Sequence, residues 1–398
     1  MSVKYNLIPF LFYLFFVTKS LAQFSFDTIL SKKPILKTVS AHLKKYRVQI
    51  IYTQITRDSK GNPSFTTHKY HVDSTNYFYC ASLVKLPCSI LALEKINSLS
   101  NYGIDKNTTM FTDSANACQH KVVMDTTAEN RLPSIAQYIK KMLIVSDNVA
   151  FGRVYEFLGV DYIHQRLAEL GYKNIRIVHR FDGGCKGTEH LITNPISFYK
   201  TDKIVYHQPQ QISSLTYTNP IGIVKIGKAH FNSQNKKMSE PKDFTNMNYI
   251  SLQNIHSLLQ RLIFNQYLPK DLQFNISKED QSFLIKHLSM YPRESSHPTY
   301  PIKWFHDSYK KYFIYGDSKK TITDTTIKVT NIVGQSYGFM IDCAYITNKI
   351  KNIEFMLSAV IYTNENEIIN DGKYEYNSIA LPFLAELGRQ VYQYQLEK

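Results

Sequence analysis

The feature that most constrains the fold is a change of hydrophobic period, made twice along the chain. Arg47 to Asp58 is rich in β-branched residues, Ser59-Lys60-Gly61-Asn62 is a turn cluster, and Pro63 to Asp73 resumes a strand-like pattern, which predicts a hairpin. From Ser82 to Ser98 the pattern turns helical, with Leu83, Leu86, Ile90, Leu93 and Ile96 three or four residues apart. Pro87 falls in the first turn of that helix, where its missing N–H is tolerated. Helical patterns continue at 132–146, 149–158, 252–266 and, after the start signal Ser277-Lys278-Glu279-Asp280, at 281–290. Strand patterns then return at 325–339, 341–347 and 353–363, and an amphipathic helix is expected over 377–397. Strands at both ends with helices between predict an α/β (α+β) fold, in which one antiparallel sheet is built from both termini beside a helical block. The expected division is a sheet part from about 40–80 and 320–398 and a helical part from about 82–320, with an irregular insertion near 201–248.

Residues 1–22 read as a secretory signal. Lys4 precedes the eleven-residue apolar run Leu7–Val17, and Ser20-Leu21-Ala22 supplies small residues for cleavage. A membrane span needs about 20 apolar residues, and Lys19 ends this run too early. Export to the periplasm or medium is therefore expected, with no stable span after cleavage. The chain carries a formal charge of +15, and removal of Lys4 and Lys19 leaves +13. In an exported protein that charge suits anionic wall polymers or plain solubility, and no basic stripe with interleaved aromatics points to nucleic acid. Five cysteines, Cys80, Cys88, Cys118, Cys185 and Cys343, are too few for a disulfide scaffold and leave at least one thiol free.

Two short motifs carry chemistry. In Ser82-Leu83-Val84-Lys85 a lysine one helical turn after a serine can reach its oxygen, and an amine that has lost its proton can activate that hydroxyl. Ser-x-x-Lys also occurs at Ser197, Ser233, Ser239 and Ser308, but Ser82 alone follows a strand-rich hairpin and opens an apolar helix. Ser146-Asp147-Asn148 occurs once, between two helical runs. The 13 histidines show no metal-ligand spacing, so no zinc site is expected, and His120, His179 and His190 read as surface or satisfied loop residues.

Tyr79-Cys80-Ala81-Ser82-Leu83-Val84-Lys85-Leu86-Pro87 followed by Ser146-Asp147-Asn148 resembles the serine hydrolases related to class A β-lactamases and penicillin-binding proteins. The resemblance extends over 40–200 and 320–398, and 243–318 is similar to a family of exported bacterial serine hydrolases. It implies a β-lactamase-like fold, no cofactor, and a small β-lactam or a peptidoglycan-derived peptide as partner. Ser82 would be the acylated nucleophile, Lys85 its base and Ser146 a proton relay. Asn148 would hold Lys85 and the substrate amide, while Asp147 braces the loop. The third family element, Lys-Thr/Ser-Gly on a strand, matches Ile332-Val333-Gly334. Gly334 would admit the substrate backbone, and the N–H groups of Ser82 and Gln335 would form the oxyanion hole.

Three departures accompany the match. Ile332 stands where the family places lysine, and Lys328 is about 13 Å away along a strand. No Glu-x-x-x-Asn pattern supplies a deacylating base, which leaves Glu189 as the candidate. Ser146 and Ile332 are 186 residues apart, more than in compact lactamases. The expectation is a serine hydrolase acting through an acyl-enzyme that is slow to deacylate. The alternatives are a peptidase, amidase or esterase on the same scaffold, and a wall-binding pseudoenzyme.

Overall fold

A computed structural model of the chain describes residues 24–115, 118–181 and 184–398, so the expected signal sequence lies outside the described residues. A five-stranded antiparallel sheet is the spine. Its strands are β1 (Gln49–Arg57), β2 (Pro63–Tyr70), β3 (Ile327–Ser336), β4 (Phe339–Asn348) and β5 (Ile353–Tyr362). Their spatial order is β3-β4-β5-β1-β2, so the C-terminal meander adds onto the N-terminal hairpin as expected. Tyr337 and Gly338, both with positive φ, make the two-residue turn between β3 and β4.

Both faces of the sheet are buried over β1, β3, β4 and β5, which explains why those strands read as near-continuous apolar runs, while the edge strand β2 is largely exposed. Ile50, Tyr52, Val333, Met340, Phe355 and Leu357 face one cluster, while Ile51, Ile332, Ile341, Cys343, Met356 and Val360 face the other. The first cluster is covered by the C-terminal helix Leu381–Glu397 and by short helices at Phe26–Leu30 and Pro34–Ser40. The second is the core of the helical block.

That block is built around α1 (Lys85–Ser98), which is buried on every side over its first three turns and packs between the sheet and the other helices. Around it lie α2 (Ile135–Val145), α3 (Asn148–Leu158), α4 (Val160–Glu169), α5 (Leu252–Ile263) and α6 (Lys278–Ser289). The predicted start of α6 is a capping box between Ser277 and Asp280. His256 of α5 bridges Thr53 Oγ1 at 2.9 Å and Ser358 Oγ at 2.7 Å, tying block to sheet, and burial lowers it to about 3.

Several elements differ from the sequence reading. The segment before residue 47 forms helices that close one face of the sheet, and 160–169 is helical although it was not expected to be. The stretch 201–248 is less irregular than expected: Lys203–Gln208 pairs with Ile196–Lys200, which in turn pairs with Thr109–Thr112. These short strands owe their conformation to their partners more than to their own pattern. Cys118 and Cys185 form a disulfide, and Cys80, Cys88 and Cys343 are free and buried.

Phe355 is fully buried in mid-strand on the face covered by the C-terminal helix. Phe355→Ala should cost about 3–5 kcal/mol, read as a lower midpoint in urea unfolding.

Candidate active site

The site forms where α1, the α2–α3 junction and the edge strand β3 converge. Ser82 lies in a 3₁₀ turn, Ala81–Val84, that precedes α1, so the expected helix begins three residues late. Ala81 holds a left-handed φ of 45°, a conformation that costs energy for a residue with a side chain. At the other side Ser146 ends α2 with φ 63°, and Asp147 Oδ1 accepts the Ala150 N–H at 2.8 Å to cap α3. Asp147 thus braces the junction, as expected.

Lys85 is wholly buried. Its Nζ lies 2.5 Å from the Ser146 carbonyl oxygen, 2.7 Å from Asn148 Oδ1, and 3.0 Å from both Ser82 Oγ and Ser146 Oγ. The Phe181 ring centroid is 5.5 Å away. Burial pushes the Lys85 amine well below the ordinary lysine range, and the nearby positive Lys310 adds to that, while Asp147 opposes it. Four of the expected site residues, Ser82, Lys85, Ser146 and Asn148, are therefore in one hydrogen-bonded group.

Gly334 is brought to the same place, for a reason other than the expected one. A Cβ there would lie 2.7 Å from the Cys80 carbonyl oxygen, so the glycine lets β3 press against the turn that carries Ser82. Gln335 follows on the exposed edge of β3, its Oε1 accepting the Tyr312 hydroxyl at 3.2 Å. Ile332 is fully buried among the helical-block side chains, and Lys328 is exposed at the far end of the strand. Glu189 stands apart from this group: it is exposed on a short 3₁₀ turn, and its Oε2 accepts the Lys186 N–H at 2.7 Å. His120 is exposed, while His179 and His190 are hydrogen-bonded loop residues, both lowered to about 4 mainly by burial.

A cavity of about 640 Å³ adjoins the group, walled by Tyr79, Phe181 and Tyr337 with Arg176, His179 and Met247. Arg176 donates to the Tyr217 and Met247 carbonyls. A second cavity of about 540 Å³, with Tyr312, Lys319 and Tyr376, lies on the other side of Gln335. Among the described residues no cluster of His, Cys, Asp or Glu is arranged to hold a metal ion, and no helix is long and apolar enough to cross a membrane.

One residue of the neighbourhood escaped the sequence reading. Lys310, from the 3₁₀ turn Asp307–Lys310, reaches in beside the β3 edge, and its Nζ donates to the Leu143 carbonyl at 2.5 Å, one turn before Ser146. It lies inside the Ser-x-x-Lys stretch that starts at Ser308, a pattern that occurs at several places in the chain and did not single it out.

The contact at Gly334 makes a direct prediction. Gly334→Ala should destabilise the protein by about 1–3 kcal/mol through overpacking, read by urea unfolding. An unchanged midpoint would mean that β3 does not press on the nucleophile turn.

The chain is similar to the crystal structure of a β-lactamase from Sphaerobacter thermophilus DSM 20745, at 11% identity over 91% of this chain and 95% of that one, with a TM-score of 0.49. It is also similar to a class A β-lactamase from Clostridium kluyveri DSM 555, at 11% identity over 90% and 97% of the two chains, also with a TM-score of 0.49. No curated protein matches the sequence. The model of the Beta-lactamase enzyme family matches residues 34–277, which hold Ser82, Lys85, Ser146 and Asn148, and the chain belongs to that family.

Proposed function

We propose that the protein is an exported serine hydrolase that forms an acyl-enzyme at Ser82 with a β-lactam or a related cell-wall peptide amide. The observation that carries this reading is the set of groups around Lys85 Nζ. A neutral amine has two N–H donors and one lone pair. The two shortest contacts, at 2.5 and 2.7 Å, are to the Ser146 carbonyl and Asn148 Oδ1, both acceptors only. They use both N–H bonds and leave the lone pair for a hydroxyl, with Ser82 Oγ at 3.0 Å. Lys85 then takes the proton of Ser82 as the oxygen attacks the substrate carbonyl.

Ser146 Oγ, also 3.0 Å from Nζ, passes that proton to the departing nitrogen. The collapsing tetrahedral intermediate leaves the acyl group on Ser82. The N–H groups of Ser82 and Gln335 stabilise its oxyanion, a contribution of about 3–4 kcal/mol per donor in well-ordered sites. For deacylation Glu189 is the proposed base. It is exposed and outside the hydrogen-bonded group around Lys85, so hydrolysis of the acyl-enzyme is the slow step.

A second reading, a peptidase, amidase or esterase with no preference for a substrate carboxylate, is favoured by one observation. Ile332 puts a buried hydrocarbon at the strand position where the family's lysine charge is expected.

Intact mass of the protein after incubation with penicillin, beside a Ser82→Ala control, tests the proposal. The expected result is a one-to-one adduct on the wild type that decays slowly, and none on Ser82→Ala. Absence of both adduct and penicillin loss would overturn the β-lactam reading. Ser82-dependent turnover of simple amides or esters would then support the second.

A further inference from the structure

A third cavity, of about 240 Å³, shares no wall residue with the two larger cavities at the candidate active site. Ser257, Arg261 and Phe264, four and three residues apart along α5, form one wall of it, and Phe65 of β2, Tyr172 and Leu272 contribute to the rest. The Tyr172 and Ser257 hydroxyls are 3.0 Å apart and satisfy each other. No residue lining the cavity is acidic, yet one of them is a buried cation.

Arg261 is 8% exposed and takes part in no ion pair among the described residues. Its Nη1 donates to the Leu170 carbonyl at 2.8 Å, while Nε and Nη2 are buried without a hydrogen-bond partner among the described residues. The guanidinium carbon lies 4.9 Å from the Phe274 ring centroid and 5.8 Å from that of Tyr172. Those rings offset part of the burial of the charge, but they give the two N–H groups no acceptor. Elsewhere in the chain the same edge of arginine holds a carboxylate. In Arg57, Nε and Nη2 donate to the two oxygens of Glu354 at 2.7 Å each, and in Arg166 to the two oxygens of Glu94 at 3.0 Å each. Glu94 Oε1 also accepts the Asn275 N–H next to Phe274, so this carboxylate is committed away from Arg261.

We infer that the cavity is a binding site for a small carboxylate with an apolar body of one ring, seated on the Nε–Nη2 edge of Arg261. The planar two-donor edge matches the two oxygens of a carboxylate. The ring follows from the walls and the volume. Phe65 and Phe264 meet edge to face with centroids 4.9 Å apart, beside Tyr172. An apolar cavity of about 150 Å³ admits benzene, so about 240 Å³ accommodates a ring with its carboxylate, whereas larger ligands occupy about 300 Å³ or more. A phosphate suits the place less well, since it has no apolar body to bury and carries more charge than one arginine offsets. Phe65 and Leu272 are exposed, so the cavity reaches the surface. The two nitrogens are out of contact with water, so a carboxylate seats on them as the wall shifts and then meets the charge in a poorly solvated setting, where pairing is strong.

The test uses the full chain with benzoate as the probe, benzamide as its uncharged counterpart and inorganic phosphate as the bare anion, read by saturation-transfer NMR and titration calorimetry. Benzoate should bind one-to-one, with benzamide weaker by about tenfold or more. Arg261→Lys keeps the charge but loses the two-point edge, and should weaken benzoate by about tenfold. Leu272→Trp fills the cavity with Arg261 in place and should abolish binding. The inference is overturned if benzoate shows no saturable binding up to millimolar concentration, which would leave Arg261 a packing residue stacked on Phe274. It is equally overturned if benzamide or phosphate binds as tightly as benzoate, or if binding persists unchanged in Leu272→Trp, which would place the probe elsewhere. Should Arg261→Lys not fold, Leu272→Trp and benzamide decide.

Discussion

The structure depends on one buried amine. Lys85 sits in the first turn of a helix enclosed on every side, a place where an unpaired lysine would be expensive. It is tolerated because Ser146 and Asn148 supply two acceptors at hydrogen-bond distance and Ser82 closes the set. The same burial that makes the charged form costly also makes the amine a base. Moving it by about one bond length would disconnect it from Ser82 and leave its N–H bonds unpaired.

The two layers hold that arrangement from opposite sides. The sheet delivers β3, and Gly334 lets the strand touch the Cys80 carbonyl so that the nucleophile turn has a rigid wall. The helical block delivers Ser146 and Asn148 from a junction that is stapled at both ends, by the left-handed Ser146 and by the Asp147 cap. His256 and its two hydroxyl partners keep block and sheet in register. Between the layers, the turn that carries Lys310 runs along the sheet edge and reaches α2.

Much of this was legible in the sequence, and what was not has physical causes. Strands β1, β3, β4 and β5 and helices α1, α2, α3 and α5 announced themselves because each buries a long apolar face, and long periodic patterns are hard to misread; β2 was read from the turn before it and α6 from its start signal. Ser82, Lys85, Ser146 and Asn148 were readable because a helical turn fixes the first pair and the second pair occupies one short loop. Thr109–Thr112 and Lys203–Gln208 were not, since strands this short are made by their partners. The role of Gly334 was seen only in part, because the contact that demands glycine comes from Cys80, over 250 positions away in sequence. Lys310 was invisible for the same reason: nothing local distinguishes a lysine that will be buried from one that will be solvated.

The most direct test of the central claim is the pH dependence of Ser82 acylation by a chromogenic cephalosporin, followed by stopped flow under single-turnover conditions. With Lys85 as a free amine, the rate should rise with pH only over an acidic limb. It should then level off well below the ordinary lysine value of about 10.4. A rate still climbing tenfold per pH unit as that value is approached would mean that Lys85 keeps its proton in the folded protein, and would contradict the account.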